Sequence, residues 1–363
     1  MQCSHGVRIV DRRQLPLLLL LMLCAVSPAV PQSASIANGA MTCRDLTLGV
    51  ALAPERPEVF DVVGTLCWRG LLRDQPLQVL VHGITASRVY WDLPRRNELY
   101  SYVRRATQAG FATFNFERIG IGASDRPPAA DVTLSSNAFV LHQVIQALRT
   151  GTLAGVPFLR IIGVGHSFGT LTLQRMEAQF PRDVDGLILT GALHDQGPEL
   201  AGVVQAALRP ASSDPRFAGQ QLPPGYLTFA DGLQLSFLVN AERADPDIVN
   251  FHESLKETVT AAELGGLSTN DDSLQIVVPV LLLVGEFDRV VCGNRINCSD
   301  LQSILAAEKP FYRPQTCLQV EIVRGTGHLL NLQRSPQGTY STMLAWARSF
   351  IAADGARANR SYP

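Results

Sequence analysis

One serine, set between glycines where an apolar run gives way to a helical one, constrains this chain more than any other feature of its 363 residues. Gly165-His166-Ser167-Phe168-Gly169 follows the apolar run Leu159–Val164 and precedes Leu171–Gln179, whose spacing is helical and which stops before Pro181. A strand that turns into a helix this abruptly holds the turning residue in a strained backbone, and only small neighbours let the two segments pack so closely. The serine oxygen is then exposed at the turn, beside a helix start that favours negative charge. Such a junction belongs to sheets whose strands alternate with helices.

The rest of the chain supports that alternation. Cys43–Leu52 and Val59–Trp68 read as two strands around a Pro54/Pro57 turn, an antiparallel pair. Leu77–Val81, Phe111–Phe116, Leu187–Leu189, Ile276–Val284 and Leu318–Val323 are short apolar runs, while Asn97–Gln108, Val132–Arg149 and Gln337–Ile351 have helical spacing. Short apolar strands between helices predict an α/β fold, a mostly parallel central sheet covered on both faces. From Gln196 to Gln275 the alternation breaks down, and Pro210, Pro215, Pro223, Pro224 and Pro246 cut the segment into short pieces. This segment carries eleven acidic and four basic residues, a net of −7. The expected organisation is a core over 38–195 and 276–352, a cap inserted at 196–275, and a loose polar tail at 353–363. A separate domain in place of the cap is the competing arrangement.

Composition narrows the partners. The net charge is −1 and no long Lys/Arg run occurs, which argues against a nucleic-acid partner. Residues 1–29 have the grammar of a secretory signal peptide: Arg8, Arg12 and Arg13, an apolar run from Leu15 to Val26, then Ser27-Pro28-Ala29. Cleavage is expected somewhere between 29 and 37. The apolar run is short of the roughly 20 residues a membrane span needs, so the expectation is a secreted protein, extracellular or periplasmic, with no stable span in the mature chain. Cysteine usage agrees with an oxidising compartment. Cys3 and Cys24 leave with the signal, and Cys43, Cys67, Cys292, Cys298 and Cys317 remain. Two bridges among five cysteines can be drawn in 15 ways. The neighbouring strands predict Cys43–Cys67, the loop after Asp288 suggests Cys292–Cys298, and Cys317 is then left free.

A serine hydroxyl needs a base to remove its proton, and the base needs an orienting carboxylate. Gly327-His328 follows the last apolar run, and Asp288 follows the run Val280–Val284 in Gly285-Glu286-Phe287-Asp288. The chain order Ser167, Asp288, His328 is that of one particular triad fold. Asp195, in His194-Asp195 after Leu187–Thr190, is the rival acid. Glu286 is expected to point away, His166 to pack beside the turn, and Tyr90 and Trp91 either to support the pocket mouth or to be plain core.

These residues together resemble the α/β-hydrolase superfamily, as a secreted serine esterase or lipase-like member. The likeness runs from about Gln78 to Ile351 and rests on His82-Gly83-Ile84, the turn at Ser167, Asp288 and Gly327-His328. Arg118-Ile119-Gly120-Ile121-Gly122-Ala123-Ser124 resembles a further loop of the superfamily, with Glu117 where Asp is usual. By this resemblance His82 and Gly83 turn the chain so that the Ile84 N–H, with the Phe168 N–H, faces the reacting carbonyl; Gly165 and Gly169 support the turn. The implied chemistry is two-step acyl transfer from a neutral, fairly apolar small-molecule ester, with no metal or organic cofactor. Amide, peptide or carbon–carbon bond hydrolysis, acyl transfer and perhydrolysis use the same triad and form the second class of reading. A non-catalytic binding module is the third. The −7 charge of the insertion disfavours anionic substrates.

Overall fold

The computed structural model describes residues 39–267 and 271–355. The predicted signal peptide lies outside them. Among the described residues eleven strands form two sheets. The main sheet contains β1 (Met41–Val50), β2 (Phe60–Arg69), β3 (Leu77–Val81), β4 (Ala112–Phe116), β5 (Ile161–His166), β6 (Gly186–Thr190), β10 (Val280–Gly285) and β11 (Gln319–Val323), in the order β1-β2-β4-β3-β5-β6-β10-β11. The six strands from β4 to β11 run parallel, and β1 and β2 are antiparallel additions at one edge. β7 (Leu208–Pro210), β8 (Tyr226–Phe229) and β9 (Val259–Thr260) make a small antiparallel sheet between β6 and β10 in the chain.

Every residue of β3, β4, β5, β6 and β10 is buried. Alternate side chains go to opposite faces: Val79, Leu187, Leu189 and Leu282 enter one hydrophobic cluster, and Leu80, Ile188, Leu281 and Leu283 the other. A fully buried Val or Leu contributes roughly 1.5–3 kcal/mol, so both faces must be covered. α3 (Leu134–Thr150), α4 (Phe168–Gln179) and α8 (Leu301–Glu308) supply apolar residues to the first cluster, and α2 (Tyr102–Gln108), α6 (Pro246–Ser254) and α9 (Gln337–Gly355) to the second. α3 starts at a reciprocal cap between Thr133 and Ser136 and ends on Gly151 at φ +80°. The strand order reverses direction at β3, since β4 lies on one side of it and β5 on the other. In open parallel sheets ligands sit at the carboxyl ends of the strands at such a switch point. Here that crevice lies between the loop after β3 and the turn after β5.

Four expectations need correction. The segment Asn97–Gln108 is not one helix: α1 (Asn97–Tyr100) stops at Ser101, whose extended backbone and side chain cap α2 through the Arg104 N–H. α8, between β10 and β11, was not anticipated. Cys43 and Cys67 are register partners on β1 and β2 and are bonded, as are Cys292 and Cys298. Cys317, however, is not a free thiol but is itself disulfide-bonded. α9 continues to Gly355, into the segment expected to be a loose tail. Among the described residues no helix is long and apolar enough to cross a membrane.

Candidate active site

Ser167 has φ 54° and ψ −120°, a conformation side chains avoid. It is imposed by the neighbours: β5 ends at His166 and α4 begins at Phe168, so one residue makes the whole turn. The glycines make the turn packable. A Cβ on Gly165 would lie 2.7 Å from the Gly169 carbonyl oxygen, and one on Gly169 would collide with the Val81 carbonyl and lie 2.8 Å from that of His82. The fixed backbone projects the Ser167 side chain into a cavity whose wall also includes His328.

His328 reaches that cavity from the loop after β11. Its Nδ1 lies 2.9 and 3.1 Å from the two carboxylate oxygens of Asp288, which is fully buried in the loop after β10. One Asp288 oxygen also accepts the Val290 N–H at 2.9 Å. A carboxylate so placed keeps the proton on Nδ1 and leaves Nε2 as the basic nitrogen. Asp195 lines the same cavity but accepts from the Arg295 N–H at 2.8 Å, from Arg295 Nε and from Asn294. Burial opposes its ionisation, yet these backbone and guanidinium donors outweigh burial and hold it below the usual carboxylate range. Glu286 turns outward to Arg324 and the Gly325 N–H.

The loop after β3 brings Gly83 and Ile84 beside the turn. A Cβ on Gly83 would stand 3.2 Å from Ser167 Cβ, so a bulkier residue would crowd the serine. Ile84 and Phe168 both line the cavity. As the first residue of α4, Phe168 has no carbonyl one turn back to receive its N–H. His82 is buried, and its Nε2 accepts the Arg118 N–H at 3.2 Å, so the proton is on Nδ1, which donates to the Gly83 carbonyl at 2.8 Å. Burial, then the Arg118 charge, keep this imidazole well below its ordinary pKa.

His166 packs beside the turn and, among the described residues, has no carboxylate partner. The Thr190 hydroxyl donates to the Gly165 carbonyl at 2.9 Å and so receives the His166 Nδ1–H at 3.1 Å. The ring stacks on Tyr90 with centroids 4.3 Å apart, and burial holds it neutral. Tyr90 and Trp91 are core, not pocket mouth. Glu117, despite its extra methylene, serves its loop: its carboxylate accepts the Ala123 N–H at 2.6 Å and fills the space beside Gly122.

The cavity encloses about 110 Å³. For scale, an apolar cavity of about 150 Å³ holds benzene. Its far wall comes from the segment between β6 and β10: Leu200 and Val204 on α5 (Leu200–Ala207), Phe229 on β8, and Leu233, Phe237 and Leu267. Apart from imidazoles, Asp195 is the only titratable wall residue among the described residues. Among the described residues no group of three or more His, Cys, Asp or Glu side chains is placed to hold a metal ion.

Three residues of the site were not singled out from sequence. Gly191, at φ +64°, lets the loop after β6 pass where a Cβ would sit 3.2 Å from His328 Cε1. Val290 seats Asp288 through its N–H. Glu263, on α7 (Ala261–Gly265), is buried against Arg118. No local pattern announces any of them.

The model of the alpha/beta hydrolase family matches residues 78–341. No curated protein gives a significant sequence match. Among solved structures, a thermophilic esterase from Thermogutta terrifontis is similar with TM-score 0.57 and 16% identity, over 84% of this chain and 98% of that one. A monoacylglycerol lipase of Paleococcus ferrophilus gives TM-score 0.52 and 19% identity over 76% and 96%. A 2-hydroxy-6-oxo-6-phenylhexa-2,4-dienoate hydrolase from Rhodococcus sp. strain RHA1 gives 0.52 and 17% over 86% and 100%. At such identities the likeness establishes the fold alone.

Proposed function

The chain belongs to the alpha/beta hydrolase family, and on that premise we propose that it is a serine hydrolase cleaving neutral, fairly apolar carboxylic esters. The observation that carries this reading is the shared apolar cavity: Ser167, in its strained turn, and His328, oriented by buried Asp288, both open into it. In the proposed mechanism Ser167 Oγ attacks the ester carbonyl while His328 Nε2 takes its proton. Asp288 stabilises the imidazolium so formed. The N–H groups of Ile84 and Phe168 receive the charge that develops on the carbonyl oxygen. His328 then protonates the leaving alcohol, and in the second step it activates water against the acyl-enzyme. Atoms and charge balance without a cofactor.

The walls favour a neutral acyl group. An anionic substrate would meet Asp195 and, among the described lining residues, no Lys or Arg. The Rhodococcus enzyme is named for a dienoate, an anion, a charge that the lining of this cavity does not favour. The segment 196–275 is proposed as the cap that supplies acyl selectivity. Export is proposed from residues 1–29, supported by two disulfides of the kind that persist in oxidising compartments. N-terminal sequencing of protein recovered outside the cytoplasm checks it.

The experiment for the activity is a panel of p-nitrophenyl esters beside aminoacyl amides, with fluorophosphonate labelling. The expected result is ester turnover, weak amide turnover, and an adduct on Ser167 that Ser167→Ala abolishes. Folded Ser167→Ala protein that keeps more than a small fraction of ester hydrolysis sinks the assignment.

A further inference from the structure

Arg118 is fully buried, a costly place for a cation, and all its contacts lie behind the expected oxyanion donors. Its guanidinium donates to the Gly83 carbonyl at 3.3 Å and to Asn137 Oδ1 at 3.0 Å, and it pairs with Glu263. It lies 4.7 Å from the centroid of the Phe168 ring. Its backbone N–H holds His82 at 3.2 Å, and His82 in turn donates to the same Gly83 carbonyl. One residue therefore reaches Gly83 directly, reaches it again through His82, and touches Phe168.

The Gly83 carbonyl and the Ile84 N–H belong to one rigid peptide plane and point in opposite directions. Two donors pinning that carbonyl on the buried side aim the N–H at the cavity. A cationic donor also withdraws electron density from the oxygen, and hydrogen-bonded chains polarise one another, so the N–H becomes the stronger donor. Resting on the acyl-transfer reading above, we propose that Arg118 is a positioning residue for the oxyanion site, aiming and polarising the Ile84 N–H, with Glu263 as the counter-charge that makes a buried cation tolerable there. Glu263 is itself built in: it accepts from Asn137 at 3.2 Å and from the Thr260 N–H at 3.0 Å, and its own N–H is capped by Thr260. It comes from the segment between β6 and β10, so the inserted segment completes the support behind the oxyanion donors as well as walling the cavity.

Removing Arg118 alone strands a buried carboxylate and risks the fold, whereas removing both charges together is often neutral. The test compares wild type, Arg118→Lys and the double variant Arg118→Met/Glu263→Met by stopped-flow burst kinetics with a p-nitrophenyl ester, alongside melting temperatures. Losing one oxyanion donor outright costs about 10²–10³ in rate, so its misalignment should cost tenfold or more. For the double variant the expected result is acylation and deacylation slowed by similar factors, because both pass through an oxyanion. KM should stay within about threefold and burst amplitude near wild type. Arg118→Lys, which keeps the charge without the fork, should fall between. Wild-type rate constants in the folded double variant, or a loss confined to burst amplitude, overturn the proposal. Wild-type protein that gives neither a burst nor a fluorophosphonate adduct overturns the functional reading instead, and this inference with it.

Discussion

At Ser167 the chain accepts a backbone of φ 54° in order to place one oxygen, and the neighbouring glycines carry the steric consequence. Gly169→Ala should therefore fail at the level of folding: the added methyl meets the Val81 and His82 carbonyls, and a large drop in melting temperature with loss of activity is expected. Asp288→Asn tests a different thing. It leaves the shape intact but lets His328 adopt the wrong tautomer, which cost on the order of 10⁴ in kcat in a studied triad. Asp195→Asn should leave kcat within a few-fold, since Asp195 is engaged by Arg295 and Asn294. Steady-state kinetics on the two variants decides between the acids, and a crippled Asp195→Asn beside a healthy Asp288→Asn would reverse the assignment. Ser167, Asp288 and His328 are legible in the sequence because each stands within a few residues of the end of an apolar run, where a strand stops. Arg118 is legible in the sequence only as part of a loop pattern. Its partner Glu263 is 145 residues away, and nothing local in either segment encodes that meeting.

The elements divide by how much of their making is local. β3, β5 and β10 were readable because a strand buried on both faces is an unbroken apolar run. The break between α1 and α2 was hidden, since helical spacing continues across Ser101 while a bridge to Asp92 and a cap on α2 decide its backbone. α5 is a case where local reading and tertiary role diverge. Its eight residues carry no charge, none is fully buried, and Leu200, Val203 and Val204 face the cavity. That placement yields a prediction for this helix: Val204→Phe fills part of a space of about 110 Å³ and should shift the preferred acyl chain to shorter lengths. Acetate-ester turnover should stay within about threefold. A chain-length profile of p-nitrophenyl esters reads it directly, and an unchanged profile would remove α5 from the acyl site.

At the scale of the whole molecule, three of the buried imidazoles are held neutral by their burial. Burial lowers His82 and His166 well below their ordinary value and His252 to about 4. The unfolded chain protonates all three near pH 6.5, so below that pH the unfolded state binds more protons and stability falls as pH falls. Stability from this source is complete above about pH 6.5 and drains toward pH 4, at up to about 1.4 kcal/mol per pH unit for each group. Denaturant melts at pH 7, 6 and 5 should show this decline. His252→Gln, placed beside Gln234, should shallow it; a slope identical to wild type would show that His252 takes no part.

The path of the chain between β6 and β10 has one further consequence. These strands are hydrogen-bonded neighbours, yet the chain leaves the first and returns to the second only after making the far wall of the cavity and the counter-charge of buried Arg118. The sheet itself asks only that some segment span that gap. Under the proposed function, inheritance can therefore treat the two parts unequally: substitutions on the inner surface of the intervening segment would alter what is admitted, while Ser167, Asp288 and His328 stay anchored just past the ends of strands that do not change. Glu263 sets the limit on that freedom. A descendant that replaced the segment wholesale would lose the partner of Arg118, so any such exchange must carry an acidic residue to the same place or give up the cation with it.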